Sequence, residues 1–388
     1  MKIVILGSFP TYSFSKELEL DIKKVKRITT WNENLATKLS ELPETDVTFI
    51  TSTKSIKKTK KVKKGNLKVI YFVSPPKVNV FTLYYYTIYK VMSIIDDINP
   101  VIVHGIGTEH IWPSIATKYK KKNVITLHGI LHAFNKNESL GLFSLKRFFA
   151  FHEKKILKKN QNIISINPYV NEVCNKINPN HSYFCIPNPV SNLFQFVHAN
   201  PNLSNQILFI GDFEVRKNVA LLLKTISSNE LHKHYDFKIK IIGRIKDREY
   251  YDSVLSSISK NIIELIQIEP FMLPKDIAFE MSKSSMLVLT SLNETAPMVI
   301  AEAMTVGLPV IATDVGGVKY MIEHDKNGYV IDPGSSDQLF ISLKKLLTNN
   351  DLRKKVGSAA REYAFTHYDA EIVAKKTLQV YKNILTNG

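Results

Sequence analysis

Two carboxylates eight positions apart are the first candidates for chemistry in this chain. Glu294 and Glu302 lie in "SLNETAPMVIAEAMTVGLPVIATDVGG" (291–317), with Pro297 between them. Proline lacks an N–H and disfavours the helical region for the residue before it, so it fits best where a helix begins. We therefore expect Glu294 in the loop after a strand at 285–291, and Glu302 about two turns into the following helix, with Gly307 as its left-handed cap.

The expected start of that helix offers a site for an anion between the two carboxylates. The amides of Met298 and Val299 would be free there, at the positive end of the helix dipole, which favours a diphosphate. The carboxylates would repel phosphate but would accept hydrogen bonds from sugar hydroxyls. The segment therefore fits a nucleotide-sugar, whereas the spacing alone favours two ordinary polar residues of an amphipathic helix.

The elements that would position this segment form two α/β units. In the first half, helical stretches at 29–42, 81–96, 111–120 and 144–159 alternate with apolar runs at 2–7, 46–52, 68–73, 101–105, 123–129, 162–167 and 184–189. Short apolar strands that alternate with helices predict a parallel sheet in an α/β architecture.

The same pattern restarts after an Asn- and Pro-rich join near 188–205. A helix is predicted at 219–231, and strands are predicted at 205–213, 237–243, 263–271, 285–291, 309–314 and 328–332. A last amphipathic helix, about 369–386, could cross back to the first domain. We expect two similar domains with a cleft between them, and ligands bound beyond the carboxyl ends of the strands.

The composition excludes several classes of protein. A chain of 388 residues suits two domains, and 44% hydrophobic with 22% charged residues indicates a globular rather than a disordered protein. No apolar stretch reaches the length that spans a bilayer. The two cysteines, Cys174 and Cys185, fit no metal motif, so we expect ordinary thiols and a cytoplasmic protein.

The formal net charge of +17 predicts an anionic partner. Lysines concentrate at 54–68 and 118–123, and the tyrosine-rich run "FTLYYYTIYK" lies at 81–90. Such a surface suits anionic lipid headgroups, and no motif indicates nucleic acid. We therefore expect a peripheral position at the inner face of the plasma membrane. The alternatives are a solvated loop or helix face for the lysines and an ordinary core helix for 81–95.

The residues around the two glutamates also resemble the signature of family 4 retaining glycosyltransferases. "ETAPMVIAEAMTVGLPVIATDVGG" (294–317) carries the family's E-x7-E motif and its "EAM…G.PV.AT..GG" tail. Four further stretches are similar to the family pattern, namely "VITLHG" (124–129), "IPNPV" (186–190), "ILFIGDFEVRKNVALLL" (207–223) and "NGYVIDPGSSDQL" (327–339). The resemblance is strongest from about 160 to 388 and weaker in the first 120 residues.

The resemblance implies the GT-B fold, in which two Rossmann-like α/β/α domains face each other across a cleft. Residues 1–190 would bind the acceptor, residues 191–368 would bind the nucleotide-sugar, and 369–388 would be a helix that packs back on the first domain.

The resemblance also assigns roles to residues of this chain. Lys217 would neutralise the donor diphosphate, Glu302 would bind the ribose hydroxyls, and Glu294 would hold a hydroxyl of the donor sugar. His128 would bind the sugar or stabilise the developing positive charge, which makes Glu294, His128 and Lys217 the expected catalytic residues. The expected donor-binding residues are Arg216, Lys217, Thr295, Ala296, Met298, Val299 and Glu302.

Two departures from the family pattern affect these roles. An arginine usually follows the glycine of the lysine-bearing loop, whereas Asp212 follows Gly211 here, and an acidic residue would oppose a diphosphate unless it points away. Arg216 could supply the missing positive charge. The Gly-Gly pair that the family often has in its first βα loop is absent from "KKVKRITTWNENLA" (23–36), so acceptor binding there stays open.

The function implied is retaining transfer of a hexosyl group from a UDP- or GDP-sugar to an acceptor hydroxyl, without a metal or another cofactor. The expected acceptor is a lipid-linked saccharide in surface polysaccharide or lipopolysaccharide synthesis. Two alternatives keep the fold: a non-catalytic, glycosyltransferase-like subunit and a sugar-nucleotide epimerase. A nucleic-acid-binding protein is supported only by the net charge.

Overall fold

The computed structural model describes residues 1–20, 30–74, 79, 82, 84–108, 110–130, 145–159, 162–200 and 205–386. By its internal contacts the chain divides into two compact units. The first unit contains Met1–Pro189 and Ala370–Gly388, and the second contains Val190–Asp369. Each unit has its own largely parallel sheet with helices, which confirms the predicted α/β class.

The first unit is built on an eight-stranded sheet with the order β3-β4-β2-β1-β5-β6-β7-β8. Only β3 is antiparallel to its neighbour. The strands are β1 (Lys2–Leu6), β2 (Asp46–Thr53), β3 (Lys60–Lys64), β4 (Leu67–Val73), β5 (Ile102–Ile106), β6 (Lys122–Leu127), β7 (Asn162–Ser165) and β8 (Ser182–Cys185). The α-helices of this unit are Thr30–Glu41, Tyr85–Ile98, Trp112–Ala116, Leu145–Lys159, Pro168–Asn175 and Ala370–Thr386.

The second unit is built on a six-stranded, wholly parallel sheet with the order β11-β10-β9-β12-β13-β14. Its strands are β9 (Gln206–Ile210), β10 (Lys238–Ile242), β11 (Ile266–Glu269), β12 (Ser284–Leu289), β13 (Val310–Thr313) and β14 (Tyr329–Ile331). Its α-helices are Asn192–Gln195, Val219–Ser228, Leu231–His234, Arg248–Ser256, Lys260–Leu265, Pro274–Lys283, Met298–Val306, Ser336–Thr348 and Asn350–His367.

The strand order of the second sheet fixes where its functional loops meet. The chain builds outward from β9 through β10 to β11, and then returns to place β12 on the other side of β9. The loops after β9 and β12 therefore leave the same edge of the sheet as neighbours. Open parallel sheets bind their ligands at such a switch point, beyond the carboxyl ends of the strands.

The helix Ala370–Thr386 is the last in sequence but belongs to the core of the first unit. Its buried residues share a cluster with β1, β2 and β5, and they include Val373, Ala374, Leu378, Tyr381 and Ile384. The hydroxyl of Tyr381 lies 2.7 Å from Nδ1 of His104, whose Nε2 lies 2.6 Å from Oγ1 of Thr126. Burial lowers the pKa of His104 to about 3, so the helix is joined to the sheet through a neutral imidazole.

Three segments differ from the sequence-based expectation. The lysine run contains the edge strand β3, because Val62 packs on the core while the lysines point to solvent or to carboxylates. The expected strand at 263–271 begins as the helix Lys260–Leu265 and is extended only over Ile266–Glu269. The tyrosine-rich helix begins at Tyr85 rather than 81, and most of the residues just before it lie outside the described part of the chain.

Two further expectations concern thiols and membranes. Cys174 is buried as expected, whereas Cys185, at the end of edge strand β8, is exposed. Among the residues that the structure describes, no helix combines the length and the apolar character needed to cross a bilayer.

The Tyr381 contact gives a test of how the last helix is held. In Tyr381→Phe, the buried His104 Nδ1 loses its partner, so we expect the first unit to lose about 1–3 kcal/mol of unfolding free energy. The chain has two tryptophans, Trp31 and Trp112, and both lie in this unit, so tryptophan fluorescence during denaturant unfolding reports on it. Tyr89→Phe, at a tyrosine 78% exposed, is the control and should leave the transition unchanged. Equal stability of Tyr381→Phe and the wild type would contradict this role.

Candidate functional site

The loop after β9 is shaped by a close approach of two glycines. Gly243, which follows β10, lies so near Gly211 that a Cβ built on it would be 2.0 Å from the Gly211 carbonyl oxygen. Only glycine fits there. The aliphatic part of Lys217 lies over Gly211, since a Cβ on that glycine would be 3.3 Å from Cγ and Cδ of the lysine.

Lys217 is the last residue of a 3₁₀ turn, Val215–Lys217, and Asn218 is the C-cap of that turn. Asn218 adopts the left-handed conformation, with φ 47°, and the helix Val219–Ser228 starts from it. Two hydrogen bonds tie this turn to the loop after β12. Leu292 N donates to Arg216 O at 2.8 Å, and Thr290 Oγ1 donates to Asn218 O at 2.7 Å.

The centre of the site is an ion pair between Lys217 and Glu294. Lys217 Nζ lies 2.5 Å from Glu294 Oε1, and the two side chains are 15% and 10% exposed. Ser291 Oγ donates to the same oxygen at 2.8 Å. Arg216 Nη1 lies 3.5 Å from it and donates to Asn293 O at 3.2 Å. Two cations expected to contact a donor, Lys217 and Arg216, therefore meet at one oxygen of Glu294, the third such residue.

The helix after Glu294 begins and ends where the sequence pattern places its boundaries. Pro297 is the N-cap residue, in an extended conformation, and Gly307 is the C-cap residue with φ 82°. Glu302 is the fifth residue of Met298–Val306, so it lies about one turn from the start, not the expected two. The first amides, those of Met298 and Val299, have no acceptor within the helix, as at every helix start.

Glu302 has no charged partner among the residues that the structure describes. Its residue is only partly exposed to solvent, and burial raises its pKa to about 7. No hydrogen bond to its carboxyl is formed by the residues that the structure describes. A carboxyl in this condition can accept donated hydrogen bonds from ligand hydroxyls, and such bonds would favour its charged form.

Asp212, the acidic departure from the family pattern, is neutralised inside the second unit. It accepts hydrogen bonds from the backbone N, Nε and Nη2 of Arg244, at 2.9, 3.2 and 2.8 Å. Lys246 Nζ lies 2.7 Å from Oδ2, the oxygen that also accepts from Nη2 of Arg244. Burial opposes ionisation, but these contacts outweigh it and hold the pKa of Asp212 well below its usual range. The carboxylate is committed to two cations and carries little net charge toward a ligand.

His128 lies in the first unit, directly after β6, and is only partly exposed. Trp31 Nε1 donates to its Nδ1 at 3.0 Å, and the two rings meet edge to face with centroids 5.6 Å apart. Burial lowers the pKa of His128 to about 4, so the imidazole is neutral near pH 7. The missing Gly-Gly pair concerns the loop before Trp31, and residues 21–29 of that loop lie outside the described part of the chain.

The structure thus brings some predicted residues together and leaves others apart. Arg216, Lys217 and Glu294 are in contact, Thr295 and Ala296 lie in the short loop that leads to the helix, and Met298, Val299 and Glu302 lie on that helix. Sequence reasoning missed Ser291, Trp31, Arg244 and Lys246. In the sequence only their polar or aromatic type marked them. Trp31, Arg244 and Lys246 each pair with a residue distant in sequence, and Ser291 pairs with Glu294 in an irregular loop. Within the described ranges, no cluster of three or more His, Cys, Asp or Glu could hold a metal ion.

Part of the chain is similar to known proteins. Residues 191–363 match the family described as "Glycosyl transferases group 1". The chain is 27% identical over 250 residues to an uncharacterized glycosyltransferase of Methanocaldococcus jannaschii, which covers 64% of this chain and 65% of that protein. It is 28% identical to a phosphatidyl-myo-inositol mannosyltransferase of Mycobacterium leprae, over 48% of this chain and 49% of the relative. A lipopolysaccharide glucosyltransferase of Escherichia coli is 28% identical over 42% of each chain. The matches span between about two fifths and two thirds of these relatives.

Solved structures resemble the whole chain. A sucrose-phosphate synthase from Thermosynechococcus elongatus superposes with a TM-score of 0.81 at 15% identity and covers 100% of both chains. An Anabaena protein solved with UDP and glucose gives a TM-score of 0.72 at 14% identity, over 98% of this chain and 99% of that one. At such identities the likeness concerns the fold. The chain therefore has the GT-B fold, and its residues 191–363 match the glycosyl transferases group 1 family.

Proposed function

We propose that this chain transfers a hexosyl group from a UDP- or GDP-sugar to an acceptor hydroxyl, with retention of the anomeric configuration. The observation that carries the proposal is the Lys217–Glu294 pair at the switch point of the second sheet. A cation for phosphate and an acceptor for a sugar hydroxyl are held there next to a helix start. The relatives named as glucosyl- and mannosyltransferases support the reaction class.

The diphosphate of the donor would lie at the start of the helix Met298–Val306. The free amides of Met298 and Val299 would bind its oxygens, and Lys217 would supply a positive charge. Arg216 is the second cation, since its side chain is 45% exposed and its guanidinium reaches the Glu294 carboxylate. It takes the place of the arginine that the family has at the position of Asp212. Asp212 does not oppose the diphosphate in this arrangement, because Arg244 and Lys246 already neutralise it.

Glu294 would hold a hydroxyl of the donor sugar, with the backbone amides of Thr295 and Ala296 beside it. Its Oε1 already accepts from Lys217 and Ser291, so these two bonds would fix the direction of the carboxylate while the other oxygen takes the hydroxyl. Glu302 would accept hydrogen bonds from the ribose hydroxyls. The family pattern also assigns His128 to the sugar.

The chemistry would follow from charge separation at the anomeric carbon. The bond from that carbon to the diphosphate oxygen breaks, and a bond to the acceptor oxygen forms on the same face. The diphosphate leaves with the electron pair, and its oxygen takes the proton of the acceptor hydroxyl. Lys217 and the helix amides are preorganised around the negative charge that develops, which is the arrangement that lowers such a barrier. No side chain has to act as a base.

For the acceptor we propose a saccharide carried on a lipid, used in surface polysaccharide or lipopolysaccharide synthesis. The first unit presents an aromatic surface that suits a membrane. Tyr85 and Tyr89, one turn apart on the helix Tyr85–Ile98, are 69% and 78% exposed. The other face of the same helix is buried through Val91 and Ile95, so the segment is a core helix with an exposed tyrosine edge.

Positive charge lies beside this helix. Asp97 and Ile98, at its end, line a groove together with Lys61, Lys63 and Lys68. Lys68 is paired with Asp46, whereas Lys61 and Lys63 are exposed and form no ion pair with a described residue. The exposed tyrosines lie in the first half of the helix and the lysines line the groove at its end, and both kinds of side chain suit an anionic bilayer. We propose a peripheral position at such a surface.

A non-catalytic, glycosyltransferase-like subunit is the alternative that keeps this fold. Asp212 and the missing Gly-Gly pair argue for it, and the pairing of Asp212 with Arg244 and Lys246 removes the electrostatic objection to a bound diphosphate. An epimerase would share the diphosphate grip, and only the product distinguishes it from a transferase. The nucleotide-sugar assay below separates the non-catalytic subunit from the two enzymes, and identification of the sugar product separates the enzymes from each other.

Lys217 and Glu294 should separate binding from transfer. In a screen of UDP-, GDP- and ADP-sugars by thermal stabilisation and slow hydrolysis, the wild type should select one donor. Lys217→Ala should lower the affinity for its diphosphate by tenfold or more, about 1.4 kcal/mol or more. Glu294→Gln should bind the nucleotide but hydrolyse the sugar about a hundredfold more slowly. Lys224→Ala, an exposed lysine on the helix Val219–Ser228, is the matched control and should behave as the wild type. The site assignment fails when no nucleotide-sugar binds, or when both site variants match the wild type.

Glu302 should make donor binding depend on pH. Its pKa is raised to about 7 in the free protein, so below that pH the carboxyl holds a proton that ribose hydroxyls must displace. Affinity for the intact nucleotide-sugar should therefore fall by about tenfold from pH 8 to pH 6, as measured by calorimetry. Glu302→Gln should bind with an affinity that does not change over this range. A 2′,3′-dideoxy donor should lose the pH dependence with the wild type, and an unchanged pH dependence in Glu302→Gln would refute the assignment.

The tyrosine edge should mediate binding to anionic lipid. We expect the wild type to sediment with vesicles that contain phosphatidylglycerol at low salt, and to be released at high salt because the charges are screened. Tyr85→Ser with Tyr89→Ser should reduce the bound fraction several-fold. Phe196→Ser, at a phenylalanine 82% exposed in the second unit, is the matched control and should bind as the wild type does. Absence of binding at low salt would rule out the membrane proposal and leave the donor site untouched.

A further inference from the structure

The bond between Trp31 and His128 decides which nitrogen of the imidazole carries a proton. An indole Nε1–H can only donate, so the atom that it contacts must have a free lone pair. That atom is Nδ1 of His128, at 3.0 Å. In a neutral imidazole the proton must then be on Nε2.

We propose that Trp31 is a positioning residue that fixes His128 as the neutral Nε2–H tautomer, so that His128 acts toward its ligand as a hydrogen-bond donor. It cannot then take a proton at Nε2, and it carries no positive charge. The identity of the ligand, an oxygen of the donor sugar, rests on the proposed function. The choice of tautomer does not.

Protonation of His128 is disfavoured by the same contact. A second proton would have to sit on Nδ1, where it would point at the Trp31 N–H and break the hydrogen bond from that group. Burial acts in the same direction and lowers the pKa to about 4. The neighbouring titratable group is His104. Its pKa is also lowered, so it stays neutral, and its ring is hydrogen-bonded to Tyr381 and Thr126. No carboxylate contributes to the shift of His128.

Separate hydrogen bonds fix the residues next to Trp31 and next to His128. Next to Trp31, the buried Asn32 donates from Nδ2 to Ser8 O at 2.7 Å, which joins the start of the helix Thr30–Glu41 to the loop after β1. Next to His128, Gly129 O accepts from Thr108 Oγ1 at 3.2 Å. Thr108 Oγ1 also lies 2.6 Å from Oε2 of the buried Glu153. These hydrogen bonds fix the two loops and so help to set the geometry of the contact between the tryptophan and the histidine.

This assignment narrows the two roles that the family pattern left open for His128. A neutral Nε2–H can bind a sugar oxygen, but it cannot stabilise a developing positive charge through that nitrogen. Nor can it deprotonate an acceptor hydroxyl. Proton transfer from the acceptor therefore falls to the leaving diphosphate, and His128 contributes no titration near neutral pH to the rate.

The first test is spectroscopic and needs no substrate. With ¹⁵N-labelled histidine in the full chain, two-bond NMR correlations report which ring nitrogen carries the proton, and His128→Gln assigns the signal. The wild type should show the Nε2–H form from pH 8 down to about pH 5. In Trp31→Phe, which keeps an aromatic edge but lacks the donor, the Nδ1–H form should appear and the pKa of His128 should rise by about 0.5 to 1, a threefold to tenfold gain in proton affinity. Trp112→Phe, at the other tryptophan, is the control and should change neither.

The second test uses the donor selected in the nucleotide-sugar screen. Trp31→Phe should lower kcat/KM about tenfold, with less effect on nucleotide affinity, and His128→Gln, which retains a donor, should be less impaired than His128→Ala. An unchanged His128 tautomer in Trp31→Phe overturns the proposal. A shifted tautomer with wild-type kcat/KM in both His128 variants overturns the assignment of His128 to the sugar, while the nucleotide screen with Lys217→Ala judges the donor site separately.

Discussion

The ion pair between Lys217 and Glu294 is the interaction on which the second unit's functional edge depends. It joins the loop after β9 to the loop after β12, two strands that are neighbours only because the chain returns across the sheet. A pair this short and only 10–15% exposed requires that both loops be placed accurately. The glycine contact at Gly211 and Gly243, the left-handed Asn218 and the bond from Thr290 supply that accuracy. The helix that starts at Met298 then follows from the position of Glu294.

The pairing of these two charges also bears on the energetics of the proposed binding. Two charges in a partly buried site that lacked partners would be costly, and here each stabilises the other. If a diphosphate took over Lys217, as proposed, Glu294 would keep Ser291 and Arg216 as partners. One ionic partner would then replace another without leaving the carboxylate unpaired. Asp212 is likewise a paired charge, since Arg244 and Lys246 of the loop after β10 neutralise it.

Sequence patterns predicted the features that depend on residues close to one another in the chain. Alternation of apolar strands and helices predicted the α/β class, and the chemistry of Pro297 and Gly307 predicted both ends of one helix. Contacts between distant positions were out of reach. Trp31 and His128 are 97 positions apart, and Asp212 and Arg244 are 32 apart, so no spacing rule connects them. The strand β3 was missed because lysines on a short edge strand do not show the hydrophobic alternation that marks a half-buried one.

The crossing of the chain between its units has a consequence for modularity. Val190 N donates to Tyr368 O at 2.9 Å, and Val190 pairs with Asp369 in an isolated bridge, so the second unit begins and ends at the same place. It is an insertion into the first unit, contiguous in sequence and with adjoining ends. A gene fragment for 190–369 therefore encodes a complete sheet and its helices. The first unit is discontinuous, so to produce it alone would require a short engineered junction from Pro189 to Ala370. The junction is needed because the last helix packs on the core around β1.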